Sequence, residues 1–142
     1  MWADTLQALE RTHLLALGAW GGASVLIGLL LLVPLLARRV QAPLAVHFAV
    51  QCVLWGAIEL AWVLAAYGRV PLRDYSSALR LSGHLALIIE AAAAGILIGA
   101  TLVWGGWVLG RRLSLVGAGI GVAMQSAALL LLDLIFVRGI HL

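Results

Sequence analysis

The stretch AVHFAVQCVLWGAIELAWVLAAYG, residues 45–68, is almost entirely apolar, yet it holds His47, Gln51 and Glu59. An apolar run of this length is typical of a membrane helix, because about 20 residues at 1.5 Å each cross a hydrocarbon core of about 30 Å. A carboxyl group inside such a helix is costly, so Glu59 calls for a specific role. The class of protein depends on whether the rest of the chain is also made of long apolar runs.

The composition of the whole chain extends this interpretation. Of its 142 residues, 64% are hydrophobic and 11% are charged, whereas soluble domains are about 45–50% apolar and about 25% charged. We therefore expect an integral membrane protein whose main partner is the lipid bilayer. The net charge of +3 comes from arginines next to the apolar runs, so it indicates membrane topology and not nucleic-acid binding.

Four apolar runs account for most of the chain and predict a single transmembrane domain, 1–142. They cover residues 12–37, 43–67, 81–109 and 113–137, preceded by a short interfacial segment, 1–11. The alternation expected of barrel strands is absent. The predicted fold is therefore all-α, an up-down bundle of four transmembrane helices.

The arginines barely distinguish the two membrane faces. We call side A the face with the connections between helices 1 and 2 and between helices 3 and 4, and side B the face with both termini and the connection between helices 2 and 3. Side A has four arginines, in the pairs 38–39 and 111–112, and side B has five. The pairs directly follow their spans, which favours side A in the cytoplasm of a bacterial inner membrane. Such similar arginine counts on the two sides are also typical of a protein with dual topology.

Three acidic residues fall within the predicted spans: Glu59, Glu90 and Asp133. Such a residue costs roughly 2.5–3.5 kcal/mol at mid-helix, and ionisable groups in the membrane are functional candidates. Glu59 lies eight residues before Tyr67 and Glu90 nine after Leu81, so each lies about 12–14 Å from side B. Because helices 2 and 3 are joined by a short connection, we expect them to be neighbours whose glutamates share a site.

Shallower polar residues surround this expected pair. Asp133 and His84 lie nearer side B and could relay protons to the glutamates. His13 starts helix 1 on the same side, so a haem held by His13 and His84, or a bound metal, is an alternative. His13 and His141 could also simply be interfacial.

Supporting polar residues lie on helices 2 and 4. His47, Gln51 and Trp55 recur every four residues with Glu59, and Gln125 lies on helix 4. Residues spaced in this way wind along one face of a helix, which we expect to face inward. These side chains could equally form hydrogen bonds that hold the helices together.

Glycine spacing predicts close helix packing. Gly-x-x-x-Gly occurs at residues 18–22, 95–99, 106–110 and 117–121, and such spacing lets helix backbones approach closely. We expect a homo-oligomer that contacts through helix 3 or 4, at Gly95 or Gly117, or a subunit of a larger membrane complex.

The functional expectation rests on the acids, because the catalytic motifs we sought are absent. There is no Walker, Gly-x-Ser-x-Gly or His-Glu-x-x-His motif, and Glu-x-x-His, which di-iron bundles carry on two helices, occurs only once, at residues 10–13, so an enzyme is not favoured. The leading hypothesis is an intramembrane site for protons or a cationic ligand, which predicts a cavity reaching the glutamates. The alternatives are an assembly subunit, which predicts a dry core with hydrogen-bonded glutamates, and a haem or metal holder.

Two segments also carry a resemblance, HFAVQCVLWGAIELAWVLAAYG and GAGIGVAMQSAALLLLDLIFVRGIHL. They resemble an uncharacterised family of small four-helix bacterial membrane proteins, a domain of unknown function. His47, Trp55, Gln125 and Asp133 match its pattern, while Gly56 and Glu59 depart from it. The resemblance covers about a third of the chain and implies four helices and no known activity.

Overall fold

A computed structural model describes residues 2–140, so Met1, His141 and Leu142 lie outside the described residues. Within that range the chain forms four long helices and no strand: α1 (Trp2–Ala37), α2 (Pro43–Ala66), α3 (Tyr75–Val108) and α4 (Leu113–Ile140). A single 3-10 turn, Tyr67–Arg69, follows α2. The expected all-α four-helix architecture is confirmed.

The surface of these helices is as apolar as their interior. Each helix has a mean hydropathy of at least 1.8 over its most apolar stretch and is long enough to cross a membrane. Many large apolar side chains point outward, among them Leu64, which is 82% exposed. A continuous apolar surface is typical of a protein surrounded by lipid, so length, composition and exposure together indicate an integral membrane protein.

Two helices begin earlier than the sequence predicted. Residues 2–11 do not form a separate interfacial helix, because α1 runs without a break from Trp2. Helix α3 begins at Tyr75 instead of residue 81, because the Asp74 side chain caps it and accepts a hydrogen bond of 2.8 Å from the Ser77 amide. Both extensions lie on side B and lengthen the polar end of the bundle.

The helices do not all pack on their neighbours in sequence. Helix α1 packs along α2, α3 packs along α4, and α4 also contacts α2 and, less extensively, α1. Helix α3 has no comparable packing against α1 or α2. The expectation that helices 2 and 3 are packed neighbours is therefore wrong, because the connection at residues 67–74 attaches to α1 and leaves α2 and α3 apart.

Glycines make the close approaches between helices. In α4, Gly117 lies against the backbone of Leu44 in α2, and a Cβ at Gly121 would lie 2.6 Å from the Gln51 Cβ. In α3, Gly95 lies against Ser126 of α4. The expectation that Gly95 or Gly117 forms an oligomer contact is therefore wrong, because both glycines are occupied by contacts within the chain.

Candidate functional site

Gln125 is a structural hydrogen-bonding group between α4 and α1. Its side chain is 1% exposed, its Oε1 accepts a 2.7 Å bond from the Trp20 indole, and its Nε2 donates a 3.1 Å bond to the Ser24 hydroxyl. A buried amide that is bonded at both ends stabilises helix packing. These contacts favour the hydrogen-bonding interpretation for Gln125.

The polar residues near the start of α2 have contacts within their own helix. Gln51 accepts a 3.1 Å bond from the Trp55 indole one turn later. His47 is exposed, and its Nδ1 lies 2.8 Å from the Pro43 carbonyl. Of these supporting residues, Trp55 lines the cavity described next, whereas Gln51 and His47 do not.

Glu59 differs from these side chains because nothing bonds its carboxyl group. It is only 6% exposed, and neither carboxyl oxygen has a hydrogen-bond partner among the described residues. The side chain lies against α1, where a Cβ at Gly21 would be 3.2 Å from Oε2. Glycine at position 21 thus leaves room for the carboxyl group.

A cavity of about 500 Å³ reaches Glu59 from side B. All four helices and the connection after α2 contribute to its walls, which are mostly apolar and include Trp55, Trp62, Leu85, Ile88, Leu129 and Phe136. Glu59 lies about 12 Å along α2 from Tyr67, so it occupies the inner part of the cavity. One carboxyl group is therefore placed in largely apolar surroundings.

A second acidic group lies nearer the surface. Asp133 of α4 is 3% exposed, and its Oδ1 is 3.2 Å from the His13 Nε2 of α1. The His13 ring stacks on Phe136 with ring centres 4.7 Å apart, while Asp133 Oδ2 has no partner among the described residues. His13 is thus the basic side chain that lies beside Asp133.

The third acidic group lies where the cavity meets side B. The Arg73 guanidinium bonds both oxygens of Glu10, with Nε–Oε1 at 2.5 Å and Nη2–Oε2 at 2.9 Å. These hydrogen bonds raise the pKa of Arg73 above its ordinary value. Gln7 also donates a 2.8 Å bond to the Val70 carbonyl, so two contacts hold the connection at residues 67–74 over α1.

Glu90 and His84 lie elsewhere. Both side chains are exposed on α3 and neither lines the cavity. The expected sharing of a site by Glu59 and Glu90 is therefore wrong, because α2 and α3 do not pack and Glu90 lies on the outer face. His13 lines the cavity and His84 does not, so the structure does not bring together the two ligands of the haem hypothesis.

Metal-ligating residues do not cluster either. Within residues 2–140 there is no group of three or more His, Cys, Asp or Glu side chains that could hold a metal ion. Cys52, the single cysteine, is buried in α2 and does not line the cavity. The three acids that line the cavity, Glu10, Asp133 and Glu59, lie instead at separate depths.

The sequence analysis did not assign Glu10 or His13 to the same site as Glu59. With Leu14, Leu17 and Gly21 they recur at intervals of three or four residues along α1, and all line the cavity or lie against Glu59. That periodicity was available in the sequence. The prediction of a separate interfacial segment over residues 1–11 separates Glu10 from this periodicity, whereas His13 falls inside the predicted first span.

The charges of the cavity are unevenly balanced. Glu10 is paired with Arg73, and one oxygen of Asp133 lies beside His13, whereas neither oxygen of Glu59 has a hydrogen-bond partner among residues 2–140. Arg69 also lines the cavity, but it lies ten residues after Glu59, about 15 Å along the helix axis. The inner part of the site therefore has one carboxyl group with no partner at either oxygen.

Together these features define an all-α protein with helices long enough to cross a membrane and an acidic cavity at one end. Comparisons with protein-family models, curated proteins and solved structures give no match. The likeness to a small four-helix bacterial family stays a prediction, and the functional argument rests on the geometry of this chain.

Proposed function

We propose that this protein binds a monovalent organic cation at Glu59, in exchange for a proton, within a bacterial inner membrane. One observation carries the proposal: Glu59 is buried and unpartnered at the inner end of a cavity of about 500 Å³. An assembly role for Glu59 predicted the opposite, a dry core in which neighbouring helices bond the carboxyl group.

The cost of burying a charge explains why this site would exchange a proton for a cation. An unpaired carboxylate in apolar surroundings costs several kcal/mol. Either a proton or a bound cation removes that cost, so the two compete for the same group. Because Glu59 supplies one carboxyl group in the inner part of the cavity, the matching ligand has a single positive charge.

The cavity walls favour an organic cation over an inorganic ion. Small inorganic cations such as Ca²⁺ or Mg²⁺ require about six or more oxygen ligands, whereas these walls are mainly apolar. Trp55, Trp62 and Phe136 line the cavity, and aromatic faces attract ammonium groups within about 6 Å. A cavity volume of about 500 Å³ also falls in the range of about 300–1,000 Å³ that is common for small-molecule sites.

Cation binding should weaken as the pH falls, because protons compete with the cation for Glu59. The other charged or titratable side chains of the cavity are Asp133 beside His13, Glu10 paired with Arg73, and Arg69. No titratable side chain of α3 lines the cavity.

The direct test measures binding of tetraphenylphosphonium, a hydrophobic monocation, to the detergent-solubilised protein by calorimetry at several pH values. The affinity for tetraphenylphosphonium should decrease as the pH is lowered, by at most about tenfold per pH unit for a single competing proton. Glu59→Gln should abolish binding, because the amide cannot neutralise the cation. The matched control is Glu90→Gln, which changes an exposed carboxyl group outside the cavity and should leave binding unchanged.

A neutral probe separates charge from hydrophobicity. Triphenylphosphine oxide has three phenyl groups where tetraphenylphosphonium has four and carries no net charge, so it should bind the native chain and Glu59→Gln equally. Equal tetraphenylphosphonium affinity in the native chain and Glu59→Gln, at every pH, would contradict the proposal.

A second candidate role, as a subunit of a larger assembly, is favoured by a different observation. Helix α3 packs on α4 alone and exposes Glu90, which lies about 22 Å along the helix from Tyr75. A carboxyl group that faces hydrocarbon is unfavourable, so this face is suited to a second copy or another membrane protein. Glu90→Leu should lower the native mass of the solubilised species if an assembly forms there.

A further inference from the structure

One side of the cavity is open at the depth of the hydrocarbon. Ile58 and Trp62 of α2 and Ile88 of α3 all line it, yet they are 59%, 65% and 47% exposed. They lie on the two helices that do not pack on each other. The opening between α2 and α3 therefore joins the cavity to the surroundings of the helices, which in a membrane are lipid tails.

The water-facing end is covered instead. The connection at residues 67–74 lies over it, and Val70 and Pro71 line the cavity from that end. The bonds from Arg73 to Glu10 and from Gln7 to the Val70 carbonyl hold the connection to α1. A ligand that came directly from water would first meet this connection and the exposed side chains of Arg69 and Pro71.

We infer that the ligand is a cationic amphiphile that enters sideways from the bilayer, with its charged head at Glu59 and its hydrocarbon tail in the opening between α2 and α3. This inference rests on the proposed cation site and adds the ligand's shape and route. A rigid, compact cation would leave the apolar opening unfilled, whereas an alkyl tail extends through it into surroundings of the same polarity.

Spin labels can report which solvent fills the opening. Cys52 is the only cysteine, so a Cys52→Ala background allows one label to be placed at Ile88→Cys and, in a second protein, at Trp62→Cys. In liposomes, both labels should be accessible to molecular oxygen, which concentrates in lipid, and protected from a water-soluble nickel chelate. A label at Leu97→Cys, on the outer face of α3 and outside the cavity, is the matched control.

Occupancy is then tested with dodecyltrimethylammonium as the cationic amphiphile and dodecanol as its neutral counterpart. The cation should lower oxygen access at positions 62 and 88 but not at 97, and dodecanol should change none of them. Adding Glu59→Gln should remove the effect of the cation.

The outcomes separate the route from the site. Access of the nickel chelate to both cavity labels would overturn sideways entry, and so would unchanged oxygen access when the cation is added. If tetraphenylphosphonium still binds through Glu59 in either case, the proposed function stands and this inference fails. If neither cation depends on Glu59, both fail.

Discussion

Replacing Gly117 by alanine is the sharpest test of how α4 packs on α2. A Cβ at this position would lie 2.8 Å from the Leu44 carbonyl carbon and 2.9 Å from its Cα, and closer still to the carbonyl oxygen. The obstructing atoms are all backbone, so no side-chain rotation can relieve the contact. The two helices must separate to accommodate one methyl group.

The expected magnitude follows from comparison with a glycine in open space. A Cβ at Gly22 of α1 would meet nothing within 4 Å. Both substitutions replace a helical glycine by alanine, so the gain in helix propensity, about 0.8–1.0 kcal/mol in water, cancels between them. The difference that remains is the overpacking cost, about 1–3 kcal/mol.

Unfolding by dodecyl sulfate in mixed micelles, followed by circular dichroism, gives the free energy of unfolding of both variants. Gly117→Ala should be less stable than Gly22→Ala by about 5- to 150-fold in the unfolding equilibrium. Equal stability of the two variants would refute the close approach of α4 to α2. A change of oligomeric mass in Gly117→Ala without loss of stability would also refute it, because the glycine would then face another chain.

Three further predictions concern other parts of the molecule. Gln125→Leu should lower the free energy of unfolding by about 1–3 kcal/mol, since it removes two interhelical hydrogen bonds, whereas Gln51→Leu should cost less because its bond stays within α2. Hydrogen bonds from Ser77, and then from Ser76, hold the pKa of the Asp74 carboxyl below its ordinary value. The charged cap should therefore stabilise the protein above that ordinary value of 3.8, so the thermal-stability advantage over Asp74→Ala should shrink as the pH falls below it. A reporter fused to the C-terminus should give a non-cytoplasmic signal, because side A is expected in the cytoplasm; a purely cytoplasmic signal would reverse the orientation, and mixed signals would support dual topology.

Helix number and approximate position follow from the sequence because hydrocarbon thickness imposes a length that apolar runs must match. The sequence does not show which helices are neighbours. These helices are apolar around most of their circumference, so periodicity hardly distinguishes a packed face from a lipid-facing one. The depth of Glu90 was close to that of Glu59, but depth alone does not say which face of α3 a residue occupies.

The inward position of Glu59 could be predicted because it shares a stripe with Gln51 and Trp55. The contacts of the connection between α2 and α3 could not be predicted. Arg73 reaches Glu10 across 63 residues of sequence, and that pairing depends on the path of the connection over α1. A short connection predicts packed helices, whereas this one is held to α1 and separates α2 from α3.

The depth of Glu59 has an electrical consequence. At about 12 Å from the side B end of α2, a charge bound there has crossed about two fifths of a hydrocarbon core of about 30 Å. One elementary charge across a full membrane potential of 100 mV is worth about 2.3 kcal/mol, so the proposed cation binding at Glu59 should change by about 0.9 kcal/mol, or about fivefold. With side A in the cytoplasm, a potential that is negative inside draws the cation toward Glu59. In a chain inserted the other way round, the same potential would drive it out.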